Sequence, residues 1–324
     1  MRTVVMVWIF MMVCLPWLEG AEQRSSRSIL ATPEMVRIME VRRLDNQAAI
    51  AEFALNDSEH SVRKVALEML HDQALLADIV RNCRYPYTQQ MAVKKLDDQA
   101  VIEEIAKTHN DWDIRRAAVL RIKNQKTLAE IARNEARLRG AAIVGLNDKA
   151  LLMEFARKDK SVGIRLTAAQ KLNDQEIITE IAKNTANESF LRQMAIGSMT
   201  DKAVLFELAK DNDAGVSLAA ALTLNDQALL AKFAKSDAGG DLRRQAVGRL
   251  HDQALIAELA KNDKDKMVRG TAVELLIDQA VLAELAEDRS NEDIRYWAGR
   301  RLKELRQTPE EKAAFEEYKK NINR

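Results

Sequence analysis

Apolar residues return along this chain in short helical stripes. Counting from Val62, small or apolar residues fall four and eight positions on, at Ala66 and Leu70. The same offsets pick out Leu242, Ala246 and Leu250, and again Val268, Ala272 and Leu276. Positions 0, 4 and 8 share one face of a helix with 3.6 residues per turn. Each run therefore predicts a helix of about ten residues, roughly 15 Å long, with one buried stripe. One residue after the stripe ends, an Asp-Gln dipeptide opens a second stripe, as in Asp72-Gln73 followed by Ala74 to Val80. The aspartate suits an N-cap, its carboxylate accepting backbone N–H bonds at the positive end of the helix.

This pair of helices repeats. Asp-Gln or a near copy stands at Asn46-Gln47, Asp72-Gln73, Asp98-Gln99, Asn124-Gln125, Asp148-Lys149, Asp174-Gln175, Asp201-Lys202, Asp226-Gln227, Asp252-Gln253 and Asp278-Gln279, at spacings of 24 to 27 residues. Isolated helices this short are marginal in water. Stacking of neighbours buries both stripes in one continuous core, which is the construction of a solenoid. The sequence thus predicts an all-α chain, an α-solenoid of about ten 26-residue helical hairpins over residues 33–302. Thr32-Pro33-Glu34 offers an N-cap and a proline at the first helical position. In the first unit Glu40 replaces the small core alanine, as an open edge permits. Thr308 and Glu311 have capping-box spacing, which predicts a C-terminal capping helix within residues 303–324.

Residues 1–20 read differently. Arg2 is followed by an almost wholly apolar run from Val4 to Leu15, and polarity returns at Glu19. That run fits a signal-peptide core and is short of the ~20 residues needed to span a bilayer. A cleaved leader, ending near Gly20 or Ala21, predicts a secreted or periplasmic protein with residues 21–32 as a flexible tether. The alternatives are a membrane-anchoring or buried helix, and a lipoprotein through Cys14, where Val13 stands at a position expected to be small. Cleavage removes one base and one acid, so the net charge stays at +1. Nothing in that balance recruits nucleic acid or an acidic membrane surface.

Candidate chemistry is sparse. The four histidines show no pairing at helical ligand spacing, and one cysteine, Cys83, remains after cleavage. That inventory supports no metal site, iron–sulfur cluster or other cofactor. Cys83 has no adjacent base, and no glycine-rich phosphate loop is present, so no catalytic residue is assigned. Phe53, Phe155 and Phe233 share one lattice offset and are read as core. Asn56-Asp57-Ser58 and Asn187-Glu188-Ser189 match the glycosylation sequon, which has meaning only in a eukaryotic host.

Two surfaces stand out. An acidic column at Glu52, Asp78, Glu104, Glu130, Glu154, Glu180, Glu207, Glu258 and Glu284, broken by Lys232, would face a basic partner. Against this, basic residues three positions on, such as Arg81 and Lys107, would neutralise it. The second surface is Cys83-Arg84-Tyr85-Pro86-Tyr87 together with Trp112 in the next loop. Aromatics amount to only 5% of the chain, so Tyr85, Tyr87 and Trp112 on one edge read either as binding anchors or as packing around a turn made irregular by Pro86.

The Val-Arg-x-x-Ala pattern followed by Asp-Gln-x-Leu-Leu-Ala, as in Val62-Arg63 to Ala77, resembles HEAT-type helical repeats and, by its short period, the leucine-rich-repeat variant. The resemblance covers roughly residues 35–302. It implies a binding scaffold and a ladder between neighbouring repeats, with an Asp in the loop six residues before each Arg: Asp57 and Arg63, Asp159 and Arg165, Asp237 and Arg243, Asp263 and Arg269. His109, Arg133 and Ala186 replace the Asp elsewhere, and Gln89 and Ser217 replace the Arg. The expected function is an exported, non-enzymatic scaffold for a protein or peptide partner, contacted through Tyr85, Tyr87 and Trp112 and then Glu104, Glu130 and Glu154. A self-associating structural protein is the alternative, followed by an enzyme of the HEAT-like lyase type.

Overall fold

Each predicted cap within the described residues forms. In a computed structural model, which describes residues 32–307, the side chains of Asn46, Asp72, Asp98, Asn124, Asp148, Asp174, Asp201, Asp226, Asp252 and Asp278 all accept backbone N–H bonds at the start of a helix. Thr32 does the same for Met35, with Pro33 as the first helical residue. The described residues form twenty-one helices, ordered as an α-solenoid of paired helices. Among them no helix is long and apolar enough to cross a membrane. The expected leader, nearly all of the tether and the Thr308 cap lie outside the described residues. The last described helix, Glu292–Arg306, continues through Leu302, so the expected boundary at 302 falls inside it.

The chain divides into two compact units, one ending at Leu146 and the other beginning at Asn147. In the first unit the tightest helix pairs are Gln47–Asn56 with His60–Met69, Gln73–Asn82 with Pro86–Lys95, Gln99–Thr108 with Trp112–Val119, and Gln125–Asn134 with Arg139–Gly145. The second unit repeats this from Lys149–Lys158 with Val162–Leu172 to Gln279–Glu287 with Glu292–Arg306. The closest pair is thus an Asp-Gln helix and the lattice helix that follows it, across a short loop such as Asp57-Ser58-Glu59. At the turn before Asp-Gln the backbone is extended, with Leu70 at φ −78°, ψ 130° and Asp72 at φ −65°, ψ 119°, which carries the two flanking helices apart.

Within each unit, lattice helices also pack on one another from repeat to repeat. The contact is made close by alanine. Ala66, Ala92, Ala118 and Ala142 in the first unit, and Ala168, Ala195, Ala220, Ala246, Ala272 and Ala298 in the second, are all fully buried. Glu40, at the equivalent place in the first helix, is exposed as expected. Of the three phenylalanines read as core, Phe155 is buried and Phe53 and Phe233 are half-buried.

The glutamine of Asp-Gln has a separate task. Oε1 of Gln47 accepts the His71 N–H at 2.7 Å, and Nε2 donates to the Met69 carbonyl at 3.3 Å. Gln73 binds the next turn in the same way through the Asp97 N–H at 2.7 Å and the Lys95 carbonyl at 3.4 Å. Gln99, Gln175, Gln227 and Gln253 repeat it at Lys123, Thr200, His251 and Ile277. One primary amide, with a donor and an acceptor side by side, satisfies a turn that otherwise has no partner.

Two exceptions support this reading. Lys149 and Lys202 replace the glutamine, and the turns they would have served contain Asn173 and Asn225. Both asparagines are left-handed, at φ 54° and 51°, and are the two non-glycine residues with positive φ among those described. Each ends a longer helix with a self-contained cap, Asp174 N–H donating to the Ala169 carbonyl at 2.9 Å and Asp226 N–H to Ala221 at 3.3 Å. Asparagine tolerates this conformation at low cost.

Gln253→Lys should lower the unfolding free energy by about 1–2 kcal/mol, the worth of two hydrogen bonds. Adding Ile277→Asn in that background should recover part of the loss, whereas Ile277→Asn alone should not stabilise. Urea unfolding of the three variants measures the coupling.

Candidate interaction surface

The short loops form one edge of each unit, and an arginine of the lattice helix governs each loop except where Gln89 and Ser217 replace it. Where the pattern is complete, the loop carboxylate does two things. One oxygen accepts the N–H two residues on, as Asp57 does from Glu59 at 2.8 Å and Asp263 from Asp265 at 2.8 Å. The carboxylate also takes the guanidinium of the preceding lattice helix. Arg37 holds Asp57 through Nε and Nη2 at 2.8 and 3.3 Å, Arg115 holds Glu135 at 2.6 Å, and Arg243 holds Asp263 at 3.0 and 2.8 Å. Arg192 and Asp211 form the same pair.

The ladder runs between neighbouring repeats: the carboxylate partner lies 19 or 20 residues after the arginine, and Asp57 and Asp263 are two of its acids. From six residues before, Asp57, Asp159 and Asp263 offer Arg63, Arg165 and Arg269 a backbone carbonyl, at 2.8, 3.1 and 2.8 Å. Arg243 takes the Ala238 carbonyl instead, and the Asp237 side chain is fully exposed, 3.9 Å from Lys264. The physical reason is reach. A carboxylate at the end of the next Asp-Gln helix lies across the repeat boundary, where the long arginine side chain extends. Asp237 is left over because Ser217 stands where its arginine would be. Gln89 and His109 form a neutral rung: Gln89 Nε2 donates to the Val80 carbonyl at 2.8 Å, and His109 Nε2 lies 3.1 Å from the same oxygen.

The aromatic segment occupies a rung that lacks its acid. Cys83 stands where the carboxylate partner of Arg63 belongs. It is buried, with its thiol 3.8 and 3.7 Å from the carbonyls of Ala54 and Leu55. Tyr85 and Thr88 take over: the Arg63 guanidinium lies 3.6 Å from the Tyr85 ring centre, and its Nε donates to Thr88 Oγ1 at 3.1 Å. Arg84 covers the ring at 4.8 Å and donates to its hydroxyl at 2.7 Å. Pro86 does not make the turn irregular, since it sits at the first helical position of Pro86–Lys95.

Tyr87 is 56% exposed and stacks edge-on against His60 at 4.7 Å. Trp112, 40% exposed, opens its own helix and is flanked by Arg115 at 4.5 Å and Arg137 at 5.1 Å. Tyr85 and Tyr87 thus border the loop of one rung and Trp112 stands two rungs along from Arg63, as separate stacks on the same edge. Tyr85 and Trp112 are each held by guanidinium groups and Tyr87 by the His60 ring.

Four of the nine acids in the column are paired with a base, between repeats rather than within a helix. Arg81 pairs with Glu104 at 2.7 Å, Lys183 with Glu207 at 2.6 Å, Lys235 with Glu258 at 3.0 Å and Lys261 with Glu284 at 2.7 Å. Glu130 and Glu154 make no ion pair among the described residues. No group of three or more metal-ligating side chains occurs among the described residues. His71 and His251 sit exposed in turns, held by their backbone N–H.

No protein-family model matches the chain, and no curated protein matches it either.

One rung gives a pH signature. The Asp211 carboxyl is held below its ordinary range, first by the hydrogen bond from Arg192, with burial opposing and the Asp213 N–H and the Arg192 charge adding. A lowered folded pKa stabilises above the unfolded value of about 3.9 and is lost as pH falls through the lower folded value. Asp211→Asn should be less stable than wild type at neutral pH and show a shallower loss of stability below about pH 4. Urea midpoints across that range measure both.

Proposed function

We propose that this protein is a non-enzymatic scaffold of the HEAT-like type, exported by an N-terminal leader, that holds a protein or peptide partner on its loop edge. The observation that carries the reading is the pair of exposed aromatic planes, Tyr87 and Trp112, fixed by neighbouring rings and guanidinium groups on that edge. Rigid aromatic anchors lose little side-chain freedom on binding, and such residues dominate contact energies. The burial of Cys83, the one cysteine outside the leader, supports a non-catalytic role. Glu104 is already paired with Arg81, which favours the aromatic edge over it as the main contact, while Glu130 and Glu154 stay open as secondary contacts.

Tyr85 belongs to the support of Arg63, so the test leaves it intact. Tyr87→Ala with Trp112→Ala should reduce saturable capture of a partner from envelope and secreted extracts by tenfold or more, about 1.4 kcal/mol or above. Helicity by circular dichroism should be unchanged. Capture at wild-type strength by the double variant would remove the aromatic edge from the site.

A second reading, self-association, is favoured by one observation. Met35, Val36 and Met39 on the helix Pro33–Arg42 are 42, 52 and 49% exposed, an apolar face at the end of the first unit. Under that reading, light scattering should show mass rising with concentration, and Val36→Lys with Met39→Lys should abolish the rise.

A further inference from the structure

The complete rungs divide the arginine into two edges. In Arg243, Nη1 donates to a loop carbonyl, while Nε and Nη2 together grip the Asp263 carboxylate. Arg37 turns the same Nε and Nη2 edge to Asp57. Arg165 occupies the same lattice position, and its Nη1 donates to the Asp159 carbonyl at 3.1 Å. Its Nε and Nη2 have no protein partner among the described residues.

The reason is a single substitution in the loop that follows. Asn184 caps the end of the helix Gln175–Lys183, where Asp263 caps Gln253–Asn262. Asn184 performs the local half of the task, its Oδ1 accepting the Ala186 N–H at 3.0 Å. It carries no charge, and it makes no bond to Arg165. A cavity of about 310 Å³ opens there, with Arg165 and Arg157, the apolar side chains of Ile177 and Ile181, and Glu176 and Glu180 in its walls. Glu180 follows Arg157 by 23 residues, close to the register in which Glu207 follows its partner Lys183, and Glu176 lies at the positive start of its own helix. Arg165 is the cation that neither row accounts for.

We propose that this cavity is a carboxylate-binding site. Another molecule supplies the acid that the chain lacks at this rung, and the Nε and Nη2 edge of Arg165 takes it in the two-bond geometry that Arg37 and Arg243 use internally. The ligand class is a carboxylate small enough for the cavity: an aspartate or glutamate side chain, or a free peptide C-terminus. Apolar walls at Ile177 and Ile181 favour a carboxylate on a short carbon stem over a fully hydrated inorganic anion. This site lies in the second unit and is independent of the aromatic edge.

The test is titration of the full chain, observing the Arg165 Nε–H resonance by ¹⁵N NMR. The probes are N-acetylglycine for a C-terminus and N-acetylglutamate α-amide for a side chain, with phosphate and chloride at matched ionic strength. The expected result is a saturable shift with one or both carboxylates, at least about fivefold tighter than with phosphate or chloride. The tighter of the two probes identifies the source of the acid. Asn184→Asp, nearly identical in shape, should fill the rung from within, weaken binding about tenfold or more and leave the fold intact. A linear, non-saturating response, an equal response to phosphate, or unchanged binding in Asn184→Asp would each overturn the proposal.

Discussion

A turn of one free residue between two short helices is the constraint around which each repeat is arranged. Between the extended Leu70 and Asp72, the N–H groups of His71 and Asp72 find no carbonyl in either flanking helix. The neighbouring repeat satisfies them with one glutamine amide, Gln47 for His71, and the same bond passes from each repeat to the next within each unit. A repeat is thereby tied to its neighbour by directional bonds as well as by apolar burial, which fixes the register of stacking. Where lysine replaces the glutamine, a left-handed asparagine lets the helix finish by itself, at Asn173 and Asn225.

A second tie runs along the opposite ends of the helices. Arginine fixes its own loop through a carbonyl and the next loop through a carboxylate, so the edge is ordered rung by rung. Departures from the pattern are what make the edge chemically interesting. At Arg63 the missing acid is replaced by tyrosine and threonine, at Gln89 and His109 by a neutral pair, and at Arg165 by an asparagine that leaves the guanidinium open. The scaffold tolerates these changes because each rung touches only its neighbours.

Much of the fold was legible because its signals are local. The aspartate N-caps, the apolar stripes and the alanine column all follow from helix periodicity and end chemistry, and Thr32-Pro33 marked the first described helix. Contacts between repeats were harder to read. The pattern names the acids and arginines of a ladder between neighbours but not which rungs close: Arg243 reaches Asp263, whereas Asp237 has no arginine because Ser217 stands one repeat before it. Gln47 and its successors were absorbed into the cap signature, although a usable clue was present: Lys149 goes with Asn173, and Lys202 with Asn225, each about one repeat apart. Tyr85, Tyr87 and Trp112 stood out by scarcity, but that Tyr85 substitutes for an acid on Arg63 depends on the loop geometry.

Hydrogen exchange at individual turn amides tests the glutamine interlock most directly. His71, Asp97, Lys123, His251 and Ile277 lie in turns and outside helices, so they have no intrahelical bond to protect them. If the glutamines hold the repeats together, these five amides exchange as slowly as the flanking helices, and Gln253→Ala exposes Ile277 while leaving the other four protected. Exchange at free-peptide rates at all five, beside protected helices, would contradict it.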